Sequence, residues 1–205
     1  RIRQYLCALV SWARPARVRR IVFGENSNTR FDFSGIVRYL EAAGKDVDVH
    51  VFEGNRDVAR FGKGYGEGEI LEHLFRHSRI VRAAPAFYKV TGRLFVSNFD
   101  AVSSATASLD AFQRKVKQPK DRPLRPRKVV TTFFKCSLAL FERTLVRAYT
   151  RVDDHQGLFL EHVYYNQLRD VDTSSFSIRP ALVGQQASTG RVYGSYDYDI
   201  VQIAQ

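Results

Sequence analysis

Methionine is absent from the chain, and cysteine is nearly so, with Cys7 and Cys136 the only two. Both sit inside apolar segments far apart in sequence. They read as buried free thiols in a reducing compartment, ahead of a disulfide and well ahead of a metal site. Long hydrophobic runs are missing too, which excludes a membrane-spanning helix of ordinary length. The stretch Arg1–Trp12 is too short and too interrupted for a secretory signal. With no Met at position 1, an initiating residue and a first strand are expected ahead of Arg1. Also lacking are a Gly-x-Ser-x-Gly elbow, a Walker loop and a dinucleotide fingerprint. The histidines form no ligand cluster. His73 and His77 stand at i and i+4 without the Glu spacing of a zinc hydrolase, so a solvated helix face is the expectation.

Acidic residues are scarce: 21 Asp and Glu against 32 Lys and Arg, a formal charge of +11. Arg1, Arg3, Arg14, Arg17, Arg19 and Arg20 all precede the first acid, Glu25. A second cluster runs from Arg114 to Lys128 with Asp121 as its only acid. Such fields attract nucleic acid, anionic lipid or phosphorylated substrates, whereas any single Arg is more simply a solvated surface residue.

Apolar spacing predicts a helix over 3–12, stopped by Pro15, then a buried strand at 20–23 and a loop at 24–28. A helix follows over 33–43, ending at Gly44, and a half-buried strand over 47–52. A polar loop at 53–62 leads to a glycine-rich loop, Gly62–Gly68, and a helix over 67–81. A central strand is predicted over 86–96. Three prolines make 117–127 a mobile loop. A strand at 129–134, helices at 137–149 and 158–168, and a loosely structured tail complete the pattern. Strands alternating with helices predict an α/β fold with a mostly parallel sheet.

The stretch from Gly62 to Asn98 concentrates the chemistry. A glycine loop exposes backbone N–H groups to phosphate or sugar hydroxyls, though a plain surface turn is the commoner explanation. Glu67 and Glu69 suit sugar hydroxyls or an acceptor proton, or else the positive end of the following helix. Lys89, Thr91, Gly92 and Arg93 end the central strand, where α/β sheets place ligands. Asp153, Asp154, Glu161 and His162 add further candidates. Asp153 and Asp154 read equally as a turn or cap. Glu161 also reads as an ordinary boundary residue paired with Arg169.

The pieces Glu25-Asn26-Ser27, Lys63-Gly64-Tyr65-Gly66-Glu67-Gly68-Glu69, Lys89-Val90-Thr91-Gly92-Arg93 and Leu160-Glu161-His162 span roughly Arg20 to Leu168. In that order they resemble the nucleotide-binding half of a GT-A-fold glycosyltransferase. The likeness is closer to small bacterial transferases that build lipopolysaccharide, capsule or exopolysaccharide.

The resemblance implies one GT-A-like, Rossmann-related domain: 1–100 as the nucleotide-sugar-binding half, 101–128 as a basic loop region, 129–205 as the acceptor half and tail. It implies a nucleotide-sugar donor, a polyprenyl-diphosphate-linked or saccharide acceptor, and a cytoplasmic enzyme peripheral at the inner face of the membrane. The Asp-x-Asp metal motif of that family is replaced by Lys-Val-Thr-Gly-Arg. Lys89 and Arg93 are therefore expected to stabilise the leaving phosphate without a metal, although the two read equally well as partners of surface carboxylates. A divalent ion such as manganese would have Asp100 alone. On this reading Glu67, Glu161 and Asp154 are candidate bases. Glu25, Asn26, Ser27, Lys63, Gly64, Gly66, Glu69, Lys89, Thr91, Gly92, Arg93 and His162 are candidate substrate contacts. The rival readings are a basic nucleic-acid-binding module and a sugar-nucleotide-binding homologue without turnover.

Overall fold

The computed structural model describes residues 1–115, 127–185 and 192–194. Helix α1 (Ile2–Ser11) leads through an arginine-rich turn to β1 (Arg20–Glu25). Then come α2 (Ser34–Ala42), β2 (Asp46–Val51), a single turn α3 (Val58–Phe61) and the long α4 (Lys63–His77). The short α5 (Arg79–Arg82) precedes β3 (Ala86–Val90), β4 (Leu94–Val96) and α6 (Phe99–Ala105). The second half holds β5 (Arg114–Lys115), β6 (Lys128–Val129), β7 (Phe133–Ser137), α7 (Leu138–Leu140), α8 (Leu160–Gln167), β8 (Leu182–Gln185) and β9 (Val192–Gly194).

The mostly parallel, GT-A-like sheet expected from the sequence does not form. Among the described residues β1 and β2 are the one parallel pair of strands, in register from Arg20 opposite Asp46 to Glu25 opposite Val51. The other ladders are antiparallel and hold two or three strands: β3 with β7, β4 with β8 and β9, β5 with β6. The cause lies at Thr91–Arg93. The Leu94 amide donates to the Thr91 carbonyl at 2.8 Å, closing a turn that cuts the expected 86–96 strand in two. Each half then pairs with a different partner. Lys117 to Pro126 of the predicted basic loop lie outside the described residues, as do 186–191 and 195–205 of the tail.

The glycine-rich stretch is not a loop. It is the first half of α4, which starts at Lys63. Glycine within a helix costs about 1 kcal/mol each relative to Ala, and close packing offsets that cost. A Cβ at Gly68 would collide with the Tyr149 side chain, and one at Gly66 would lie 2.7 Å from Val58. Gly24 of β1 likewise admits Ile70 and Leu74 of α4, the first of which would lie 2.6 Å from an added Cβ. Gly62, just ahead of the helix, has φ +100°, a backbone that other residues rarely adopt. The helix predicted over 137–149 is also irregular. It winds as α7, then a π turn at Phe141–Leu145, then a 3₁₀ turn at Ala148–Arg151.

Two apolar clusters organise the interior. One gathers α1, β1, α2, β4 and α6 around Leu9, Phe23, Leu40, Val96 and Val102. The other gathers β7, the π turn and α8 around Phe134, Phe141, Leu145, Leu160 and Tyr164. Helix α4 lies between them: Ile70 and Leu74 approach β1, while Tyr65, Leu71 and Phe75 pack on the second cluster. This placement fixes which side chains α4 presents at the C-terminal end of β1. Cys7 and Cys136 are both free and buried, in line with the sequence reading.

Candidate functional site

Strand β1 ends at Glu25, whose side chain is 3% exposed and is engaged on three sides. Arg1 Nη2 donates to its Oε1 at 3.2 Å, and the Ser27 amide does so at 3.1 Å. The Tyr5 hydroxyl also meets Glu25. Burial raises the Tyr5 pKa, the Glu25 charge adds to the rise, and Arg93 works against it. Arg93 stands over the Tyr5 ring, 5.7 Å from its centroid, and donates to Gln4 Oε1 at 3.2 Å. Gly92 lies against the same rings: an added Cβ would be 3.3 Å from Phe23, a tight contact, and 3.5 Å from Tyr5, an ordinary one.

Asn26 carries the cluster across to α4. Its Nδ2 donates to the Gly66 carbonyl at 3.2 Å and to Glu69 Oε2 at 2.8 Å. The same Glu69 oxygen accepts the Asn55 amide at 3.0 Å, while Asn55 Nδ2 closes the loop on the Asn26 carbonyl at 3.0 Å. One residue from Gly66, Glu67 forms an ion pair with Lys89 at the end of β3. The Lys89 ammonium also donates to the Thr131 carbonyl at 2.5 Å and to Thr91 Oγ1 at 3.3 Å. Lys89 is 6% exposed and Glu67 32%. The carboxylate therefore has one oxygen held by a buried cation and still reaches solvent, the arrangement of an oriented acceptor.

The structure thus brings together Glu25, Asn26, Ser27, Gly66, Glu67, Glu69, Lys89, Thr91, Gly92 and Arg93. Neither Glu67 nor Glu69 lies in the first turn of α4, so the helix's positive end does not account for them. Lys89 pairs with a carboxylate inside the protein. It is the partner of the candidate base and not an open cation awaiting phosphate. The Gly62–Gly68 segment, being helical, offers no cradle of exposed amides.

Other expected site residues lie elsewhere. Lys63 and Gly64 open α4, where Gly64 abuts Leu160 of α8. Asp154 reaches that helix start from ninety residues away, accepting the Gly64 amide at 3.4 Å and filling the space over Gly62. It serves as a remote cap at the positive end of α4, while Asp153 caps its own 3₁₀ turn through the amides of His155 and Gln156. Glu161 sits in the first turn of α8, where the helix dipole favours it. Arg169 pairs with Asp170 and not with Glu161. His162 donates from Nδ1 to the Gly157 carbonyl at 3.0 Å and lines a separate cavity of about 400 Å³ with Arg127, Tyr165 and Asn166. Both carboxylate oxygens of Asp100, the expected lone metal contact, accept backbone amides, those of Ala16 and Arg17, each at 2.9 Å.

Of the pair expected on a solvated helix face, His77 is exposed and His73 is half-buried. The His73 ring stacks on Phe52 at 3.7 Å and lies 4.5 Å from His77 and 5.5 Å from His50. Among the described residues no group of three or more His, Cys, Asp or Glu side chains is placed to hold a metal ion.

Sequence reasoning missed Tyr5, Asn55 and Thr131. Tyr5 belongs to the helical apolar stripe and gives no polar signal. Thr131 acts through its carbonyl, which carries no side-chain signature at all. Asn55 has φ +62°, and an Asn-containing polar loop is the one hint that was legible. Comparison with known family models, curated proteins and solved structures found no match for this chain.

Proposed function

We propose that the chain is a glycosyltransferase, moving a sugar from a nucleotide-sugar donor to a lipid-linked or saccharide acceptor. The observation that carries this reading is the Glu67–Lys89 pair at the mouth of a polar cluster built from the ends of β1 and β3. Sugar transfer needs a carboxylate to take the acceptor proton and fixed positive charge for the leaving diphosphate. Glu67 is suited to the first role, with Lys89 orienting it. Arg93, over the Tyr5 ring near the end of β1, is suited to the second. Glu69, Asn26 and Asn55 form a bonded set for hydroxyl groups. The reading includes peripheral placement on the cytoplasmic side of a membrane. No helix of the described residues is long and apolar enough to cross one.

The test is a thermal-shift series with UDP, GDP, CMP and dTDP and their sugars, with and without EDTA or manganese, followed by turnover measurements. A ligand of the native state raises the melting temperature by mass action. Glu67→Gln should keep the stabilisation by donor and lower turnover by roughly 10²–10⁴-fold, the usual scale of general-base catalysis. Stabilisation with no turnover in the parent protein would leave a sugar-nucleotide-binding protein. Absence of stabilisation by every nucleotide would sink the reading.

A further inference from the structure

We infer that the turn joining α1 to β1 is a phosphate-binding site whose ligand is the headgroup of an anionic phospholipid. The turn carries Arg14, Arg17, Arg19 and Arg20, all exposed. Its backbone is fixed from both sides. The Asp100 carboxylate accepts the amides of Ala16 and Arg17, and the Lys45 ammonium donates to the carbonyls of Pro15 at 2.8 Å and Val18 at 2.7 Å. Lys45 is 8% exposed and meets carbonyls there, so its positive charge adds to the field of the turn. A cavity of about 380 Å³ opens between Arg17, Arg19 and Ser103 of α6. Two guanidinium groups and a hydroxyl around one concavity suit the oxygens of a phosphate ester. The acids nearest in the fold are engaged: Asp100 by the turn itself and Asp46 by Arg79 at 2.9 Å.

This site is not the candidate sugar-transfer site. The six-residue strand β1 separates them, about 20 Å at strand rise. Single-stranded nucleic acid needs aromatic platforms beside the phosphate contacts. Trp12, which leads into the turn, is buried edge-on against Phe95 and Phe99. A pocket for phosphate without a platform for bases fits a membrane surface. The inference refines the peripheral-membrane part of the proposal above and is independent of the sugar-transfer part.

The experiment is co-sedimentation of the full chain with phosphatidylglycerol vesicles and with phosphatidylcholine vesicles. It compares the parent with Arg17→Glu/Arg19→Glu and with Arg56→Glu/Arg60→Glu, an equal charge change beyond the far end of β2. Binding to the anionic vesicles alone is expected. It should weaken roughly thirtyfold in the first variant, given about 1 kcal/mol per basic residue at such a surface, and little in the second. Equal losses in both variants, or none in either, would overturn the site. A thermal shift with inorganic phosphate that depends on Arg17 and Arg19, without vesicle binding, would overturn the lipid source. So would RNA binding that follows those two arginines while vesicle binding does not. Retained stabilisation by a donor nucleotide in the Arg17→Glu/Arg19→Glu protein separates failure here from failure of the transferase reading.

Discussion

At the C-terminal end of β1 the charges close on one another: Glu25 on Arg1, Glu67 on Lys89, and Glu69 on Asn26 and Asn55. At its N-terminal end the arrangement is reversed. There Asp100 and Lys45 are taken up by backbone amides and carbonyls, and the arginines are left facing outward. Arg114 in the second basic cluster follows a third pattern, donating to the Leu168 and Val171 carbonyls and to Thr173. Counting charges along the sequence would treat these three places alike. What separates them is whether partners inside the protein satisfy each group, and that decides whether a substitution strikes stability or binding.

The strongest way to break the comparison is to move α4, because that helix brings Glu67 and Glu69 to the end of β1. Gly68→Ala puts a methyl group into the Tyr149 side chain, which cannot swing freely since its hydroxyl donates to Glu72 at 2.6 Å. Overpacking of this kind costs about 1–3 kcal/mol, and the backbone position leaves little relief, so a loss near the top of that range is expected. The gain of about 1 kcal/mol in helix propensity offsets part of it. Urea denaturation measures the net change. An unchanged midpoint would mean that α4 is not seated by its glycines.

A loss of similar size comes from the ion pair. Lys89→Met leaves the Thr131 carbonyl without its donor and Glu67 without its cation. Truncating one partner of a fully buried pair costs about 3–5 kcal/mol. Glu67 keeps contact with water, so about 2 kcal/mol is the expected loss. Adding Glu67→Gln should restore part of it, and a double-mutant cycle reads the coupling directly. Additive losses would show that the two side chains do not act as a pair.

Much of the secondary structure was legible from periodicity: α1, α2, β2 and α8 fall where apolar spacing puts them. The candidate cluster was legible as residue types, since Glu25, Glu67, Glu69, Lys89 and Arg93 do converge. The sheet was not. The strand predicted over 86–96 is interrupted by a turn at Thr91–Arg93, and a local turn changes every pairing beyond it. The glycine stretch misled for a related reason. Glycine at alternate positions signals a loop when only local propensity is weighed, and here the decisive contacts, with Tyr149 and Val58, come from far or unpatterned positions. Asp154 and Asp100 were candidates by residue type alone, and only tertiary placement shows that one lies at the start of α4 and the other holds the amides of the α1–β1 turn.

A pH series sharpens the comparison from a third side, β2 against the outer face of α4. Burial depresses the His73 pKa, and the nearby His77 and His50 add to the effect while Glu69 opposes it. The unfolded chain therefore takes up the proton more readily than the folded one. The contribution of His73 to stability is complete above about pH 6.5 and is lost as pH falls toward the depressed folded value. His73→Phe keeps a ring against Phe52 and should flatten the melting temperature below that pH. The same slope in parent and variant would place the acid sensitivity elsewhere.

The smallest expected change in stability belongs to the variant with a large expected change in binding. Arg17 and Arg19 are exposed, and the turn beneath them is held by Asp100 and Lys45 through its backbone, not through the guanidinium groups. Arg17→Glu/Arg19→Glu should therefore shift unfolding by no more than about 0.5 kcal/mol, the ordinary range for surface substitutions. Relief of repulsion within a chain of charge +11 would favour the sign of a slight gain. Urea denaturation at low and high salt checks this, because a gain from repulsion fades once salt screens it. A loss of about 2 kcal/mol at either salt would mean that the arginines brace the turn. The contrast between a charge-closed end and a charge-open end of β1 would then fail at the open one.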